Sequence, residues 1–384
     1  MSEAGQRTIY LHVGTPKSGT TFLQSRMEAN HRLAADQGLL WPGPGWGRQV
    51  RAVDEIRHLR KGASPPQAGE WARLVQELKA WTGDRAVVSM EWLGGLTAHQ
   101  IRTAVQSLQP DRIEVVCTAR DLLRTVVAHW QETTKNYRTW SWEQFARELV
   151  DEEPGGRAQQ VFWRQQDVPA VIQRWSRHVP LERIHVITVP PDGARRDVLW
   201  SRFCSVVGLE GGDFQPPRDL NSSLGVVSSA LMHRVNLAAR KQAVEHSAYK
   251  KVFHRKLARD VLAAHRQEEA PITVDLRTEA WVRERATRLV RELSESGVDI
   301  VGDLQELSPG PRRSGRVPTD VTDTELLELC TEALVTLGVR QCAEIAALTA
   351  DNRRLRDAMD RQSPLGALRA VAGRMAGRRQ GTLR

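Results

Sequence analysis

With 40% hydrophobic and 26% charged residues, the 384-residue chain has the make-up of an ordinary globular protein, which excludes a wholly disordered polymer and favours one large α/β domain plus an appendage over two equal domains. Its 55 Lys and Arg against 46 Asp and Glu leave a formal charge of +9; a nucleotide with several phosphates, a nucleic acid, an acidic membrane or a merely solvated Arg-rich surface all suit that sign. Cys117, Cys204, Cys330 and Cys342 are far apart and form no C-x-x-C pair, which argues against a zinc knuckle or a redox motif. No leader-like start and no run near the roughly 18 apolar residues of a membrane span is evident, so a reducing cytoplasm is the expected location.

In chain order, short β-type runs alternate with helical patterns. Thr8 to Val13, Ala86 to Met90, Ile113 to Thr118 and Ile184 to Val189 are apolar and rich in β-branched residues, as strands buried on both faces should be. Helical patterns cover Gly19 to Asp36, Gly69 to Trp81, Ala98 to Leu108, Asp121 to Thr134 and Val168 to His178, and Ser141 to Gln144 has the form of a capping box. This alternation predicts a three-layer α/β fold, a parallel sheet with helices on both faces, followed by a C-terminal helical appendage.

The last aromatic residue is Trp281, so the main core should be complete by then. Residues 1–307 read as the main domain, 308–321 as a linker dense in Pro and Gly, and 322–384 as a helical, basic tail. Leu326, Leu327, Leu329, Ala333, Leu334, Leu337, Ile345, Leu348 and Leu355 form an amphipathic helical pattern, a stripe that serves either packing on the domain or a homodimer. Ser363 to Arg384 is rich in Gly, Ala and Arg and is expected to be weakly ordered.

The most informative stretch runs from Ile9 to Gln24. An apolar strand passes through Gly14-Thr15-Pro16-Lys17-Ser18-Gly19-Thr20-Thr21 straight into an amphipathic helix, the arrangement in which backbone N–H groups and a helix N-terminus converge on an anion. Gly14 and Gly19 permit close approach, Lys17 supplies a cation, and the hydroxyls of Ser18, Thr20 and Thr21 are candidate donors to phosphate. The common phosphate loop, G-x-x-x-x-G-K-S/T, has its lysine after the second glycine, whereas Lys17 precedes Gly19. A plain capped strand-to-helix turn is the bland alternative.

A second element is Val115 to Thr118 followed by Ala119-Arg120-Asp121, with Ala128-His129-Trp130 further on. Together with Pro16 to Thr21 it resembles the sulfotransferase family, in a bacterial, actinomycete-type branch; Leu39 to Gly43, Asn221 to Gly225 and Val301 to Leu304 add supporting phrases, and the resemblance spans roughly residues 8–308. It implies a P-loop-NTPase-like, five-stranded parallel sheet and 3'-phosphoadenylyl sulfate as cosubstrate across the strand C-terminal ends, with no metal. It also implies that Arg120 holds the 3'-phosphate with a serine eight residues on, where this chain has Ala128. Thr125, Arg124 and Lys135 are the candidates to supply what that serine does not.

The chemistry so implied is in-line sulfuryl transfer to a small-molecule or glycan acceptor, with Lys17 on the departing phosphate oxygen. Glu91, directly after the second long strand, is the leading general base, and His12, His99 and His129 are its rivals. Asn221, Ser222 and Ser223 read either as a loop closing over the nucleotide or as a helix cap. Two other readings stand beside this one: a phosphate-loop nucleotide kinase, for which no persuasive acidic magnesium site is found, and a non-catalytic domain of sulfotransferase type. No nucleic-acid partner is expected.

Overall fold

The computed structural model describes residues 6–64, 66–151, 155–195, 197–217, 223–312 and 314–362. Six strands form one wholly parallel sheet: β1 (Thr8–Gly14), β2 (Leu39–Leu40), β3 (Arg85–Ser89), β4 (Arg112–Ala119), β5 (Ile184–Thr188) and β6 (Asp299–Val301), in the order β2-β3-β1-β4-β5-β6. The four strand runs read from the sequence become six, against the five that the resemblance implies, because β2 and β6, of two and three residues, close the two edges. Strands that short carry no periodicity to read.

The period-two rule of strands explains the layers. Ile9, Leu11 and Val13 of β1, Ala86 and Val88 of β3, Ile113, Val115 and Cys117 of β4, and Ile184 and Val186 of β5 all enter one apolar cluster. Their alternates Val87, Val116 and Ile187 enter another. The first face is covered by α3 (Trp46–Arg57), α4 (Glu70–Ala80), α5 (Ala98–Leu108) and α9 (Val168–Ser176), the second by α1 (Thr20–Ala29), α2 (His31–Asp36) and α10 (Val198–Val207). Ile9, Leu11 and Val13 are wholly buried, each stabilising the sheet by about 1.5–3 kcal/mol.

The single helix expected over Gly19 to Asp36 is two. Buried Asn30 breaks it: its side-chain amide donates to the carbonyls of Arg26 (2.7 Å) and Gln215 (2.9 Å), and its Oδ1 accepts from the Gln215 N–H at 2.7 Å. An Asn that bonds backbone on both sides competes with the helix ladder. Ser141 caps α7 (Trp142–Val150) as expected, accepting from the Gln144 N–H.

Beyond the sheet, α6 (Leu122–Lys135), α7, α8 (Arg157–Gln166) and α13 (Leu276–Glu295) enclose an aromatic cluster including Trp130, Trp142, Phe145 and Phe162. A further cluster joins α11 (Val226–Lys241), α12 (His246–Tyr249), the π-helical turn Lys250–Arg259 and the start of α14 (Asp323–Gln362). The Pro- and Gly-rich stretch before α14 is tied to the body: the Arg316 N–H donates to the Pro271 carbonyl (2.9 Å) and Arg312 reaches the Val274 carbonyl (3.1 Å). One expectation is corrected: Asp323–Met359 is long and apolar enough, by length and composition alone, to cross a membrane. The dispersed apolar residues of that segment become a continuous surface only once it is one unbroken helix. Ser363 to Arg384 lies outside the described residues.

Candidate functional site

The chain leaves β1 for the edge strand β2, returns to β3 and then crosses past β1 to β4, so the reversal of strand order lies at β1. Open parallel sheets place ligands at the strand C-terminal ends beside such a reversal. A cleft of about 800 Å³ lies there, and residues following three neighbouring strands line it: Pro16, Lys17, Gly19, Thr20 and Thr21 after β1, Glu91 after β3, and Arg120 after β4.

Glycine is required where the loop turns. Gly14 has φ +99°, and a Cβ on it would stand 2.9 Å from Glu91 Cβ, so the loop and the end of β3 meet in direct contact. Gly19, at φ +82°, caps α1 without any side-chain hydrogen bond, which leaves the first-turn N–H groups without a side-chain acceptor. Lys17 is also left-handed, at φ 66°, a conformation a non-glycine residue keeps only when its surroundings hold it. Those surroundings are Arg120, which donates to the Lys17 carbonyl at 3.2 Å, and Gln166, which donates to the Pro16 carbonyl at 2.9 Å.

The Lys17 ammonium lies 2.6 Å from the Glu132 carboxylate, and Lys135 approaches the same carboxylate at 3.2 Å. Burial alone would raise the pKa of Glu132, but the two lysines outweigh it and hold the group well below the usual carboxylate range. Glu91 accepts from Gln24 of α1 at 3.1 Å. Trp46 donates its indole N–H to the Ser89 carbonyl at 3.0 Å, and Arg57 stacks over Trp92 at 4.3 Å, giving the Glu91 side of the cleft an aromatic wall.

Ser18 departs from expectation. Its side chain is wholly buried, with Oγ 2.6 Å from Thr118 Oγ1 and bonded also to the Thr15 carbonyl. The hydroxyl therefore staples the loop after β1 to β4, and Ser18 is absent from the lining among the described residues. His12 is likewise internal: its ring nitrogens lie 2.7 Å from Ser89 Oγ and 3.4 Å from Thr118 Oγ1, and burial lowers its pKa to about 4. His99 meets Arg102 at 3.3 Å on α5 and does not line the cleft. His129 does line it, packed against Phe145 and Phe162, with Nε2 unpartnered and its pKa lowered to about 4 by burial and then by Lys17. A histidine so held is neutral near pH 7 and a weak base.

Ala128 lines the cleft one turn before Glu132, on the same face of α6. The substitutes considered for the missing hydroxyl separate cleanly. Thr125 bonds the Asp121 carbonyl at 2.9 Å, and Arg124 bonds Asp121 and, at 2.7 Å, Asp192; neither lines the cleft among the described residues, whereas Lys135 does. Ser223 lines it too and accepts from Arg266 at 3.0 Å, while Asn221 and Ser222 lie outside the described residues.

Sequence reasoning missed Glu132, Arg57, Arg138, Arg240 and Lys250, all lining the cleft. Glu132 alone left a signal, since i and i+3 spacing to Lys135 puts the two on one helical face. Arg138, Arg240 and Lys250 make no ion pair among the described residues. Arg138 has its pKa lowered by burial and then by Arg157 and Arg240. Arg240 stacks over Tyr137 at 4.0 Å. No group of three or more His, Cys, Asp or Glu suited to a metal ion occurs among the described residues.

No family model and no curated protein matches the sequence. Among solved structures, a sulfotransferase from Alicyclobacillus acidocaldarius is similar at 15% identity and a TM-score of 0.36, over 64% of this chain and 99% of that one. The sulfotransferase domain from the curacin biosynthetic pathway is similar at 14% identity and a TM-score of 0.30, over 76% of this chain and 99% of that one. Both are sulfotransferases. The α/β architecture described here stands on its own strand order and burial pattern.

Proposed function

We propose that the chain is a sulfotransferase that uses 3'-phosphoadenylyl sulfate and passes its sulfuryl group to a hydroxyl or amine of an acceptor. The observation that carries this reading is the meeting of Lys17, Arg120 and Glu91 around one uncapped helix N-terminus, each delivered by a different strand end. The first-turn N–H groups of α1 and the loop would hold the 5'-phosphosulfate, and Arg120 the 3'-phosphate, as a guanidinium can through two parallel hydrogen bonds.

In the transfer, Glu91 takes the acceptor proton as the acceptor oxygen or nitrogen bonds to sulfur. The bond between sulfur and the bridging oxygen breaks, and the electron pair stays on the 5'-phosphate. Lys17 leaves Glu132 to stabilise that charge. Lys135, already 3.2 Å from Glu132, keeps the carboxylate paired when Lys17 moves. Without Lys135 the movement would strand a partly buried negative charge.

The acceptor reading follows from what lies beyond Lys17. Ala128 to Lys135 covers roughly 10 Å along the α6 axis at 1.5 Å per residue, so Arg138 and its unpaired neighbours stand far from the Arg120 end. An acceptor bearing a carboxylate, phosphate or sulfate fits there. Incubation with 3'-phosphoadenylyl sulfate and a panel of acceptors, followed by mass spectrometry, tests the proposal: sulfated product from the wild type and none from Lys17→Ala is expected. Magnesium-dependent consumption of ATP without sulfated product would instead make the chain a kinase.

A further inference from the structure

The helix α14 carries two stripes that lie roughly 100° apart around its axis at 3.6 residues per turn. One packs on the body: Leu329 and Ala333 are buried against α11 and its neighbours, Arg340 donates to the Asp260 carbonyl at 2.8 Å, and Lys256 pairs with Glu344. The other faces away, and Leu327, Leu334, Ile345, Leu348, Leu355 and Met359 are each at least 57% exposed on it. Isolated exposed apolar residues need no explanation, but four of them, Ile345, Leu348, Leu355 and Met359, grouped along one short stretch of helix do.

The outward stripe has the spacing of a heptad. Ile345, Leu348, Asn352, Leu355 and Met359 follow one another by three, four, three and four residues, which sets Ile345, Asn352 and Met359 at the a positions and Leu348 and Leu355 at d. Carried back, the same register places Leu334 and Leu327 at d, but Gln341 also at d and Gly338, Thr331 and Thr324 at a, which confines the seam to Ile345–Met359. Within that segment Asn352 is the one polar residue at a or d, the feature that fixes register in parallel two-stranded coils. Asp351 then occupies g and Arg356 the following e, five residues on. In a parallel in-register pair, the g residue of one helix meets that e residue of the other, and here the charges are opposite.

We propose that α14 pairs with the α14 of a second copy of this chain as a parallel, in-register two-stranded coiled coil. The body-facing stripe stays in its own domain while the outward stripe closes on the partner, so both apolar lines are covered at once. A membrane is the other occupant that the composition admits. Arg340 and Glu344, both tied to the body, and Asp351, Arg353, Arg354 and Arg356 further along oppose it.

Sedimentation equilibrium of the full chain at micromolar concentration tests the pairing. A mass of twice 43.2 kDa is expected, and Leu348→Asp with Leu355→Asp should give a monomer with an unchanged thermal unfolding midpoint of the body. Orientation is read by Asn352→Cys in a background with Cys330→Ser and Cys342→Ser, which should oxidise to a covalent dimer only if the helices are parallel and in register. Asp351→Arg should weaken the dimer about tenfold or less, and adding Arg356→Asp should restore it. A monomer at every concentration, a dimer indifferent to Leu348 and Leu355, failure of the Asn352→Cys cross-link in a dimer, or a monomer that co-sediments with phosphatidylglycerol vesicles would each overturn the proposal.

Discussion

The two ends of the cleft are built on opposite principles. At the loop end every charge is fixed by a partner: Lys17 and Lys135 by Glu132, Arg120 against the Lys17 carbonyl, Glu91 by Gln24. At the outer end Arg138, Arg240 and Lys250 stand on the cleft wall without a carboxylate among the described residues. Fixed charge suits an invariant group such as a phosphosulfate, because it is preorganised before the ligand arrives. Unpaired cations suit a ligand that brings its own negative charge.

The largest expected effect is at the fixed end. Lys17→Ala should lower kcat for sulfuryl transfer by about 10²–10³ while the fold persists, measured by steady-state kinetics with circular dichroism as control. Glu91→Gln should lower kcat by about 10². If instead Glu91→Gln left kcat unchanged, the base would have to be sought elsewhere.

The outer end should answer differently. Arg138→Ala with Arg240→Ala should raise KM for an anionic acceptor about tenfold with little change in kcat, an effect that shrinks with added salt. The same pair of changes should leave the affinity for the donor nucleotide alone. An equal loss for neutral and anionic acceptors would erase the contrast between the two ends.

A smaller effect concerns the buried histidines. His12 and His129 titrate near 6.5 when unfolded and only near 4 in the folded chain. Their contribution is therefore complete above about pH 6.5 and is lost as pH falls toward 4, with up to two protons taken up on unfolding. Denaturant melts from pH 7 to 4.5 should show it, and His129→Phe should flatten the slope. Smallest is Gly19→Ala, which places a Cβ 2.4 Å from Leu199 Cδ2 at a positive φ and should cost about 1–2 kcal/mol by the same melts.

What the sequence made legible follows from locality. The strand-loop-helix of residues 8–29 was readable because its strand pattern, its glycines and Lys17 are adjacent in the chain, and β3, β4 and β5 were readable from their short runs rich in β-branched residues. The inward turn of Ser18 was not, since Thr118, its partner, is 100 residues away. Glu132 is the counter-ion of Lys17 across 115 residues, and only folding brings α6 over the loop. The split at Asn30 depended on Gln215, and the outer cations come from three separate elements that no spacing rule connects.

The most direct test of the account is isothermal titration calorimetry with adenosine 3',5'-bisphosphate against ATP. The account predicts that the bisphosphate binds far more tightly, with most of the difference lost in Arg120→Ala. Equal affinity for the two nucleotides, or tighter binding of ATP with magnesium, would contradict it.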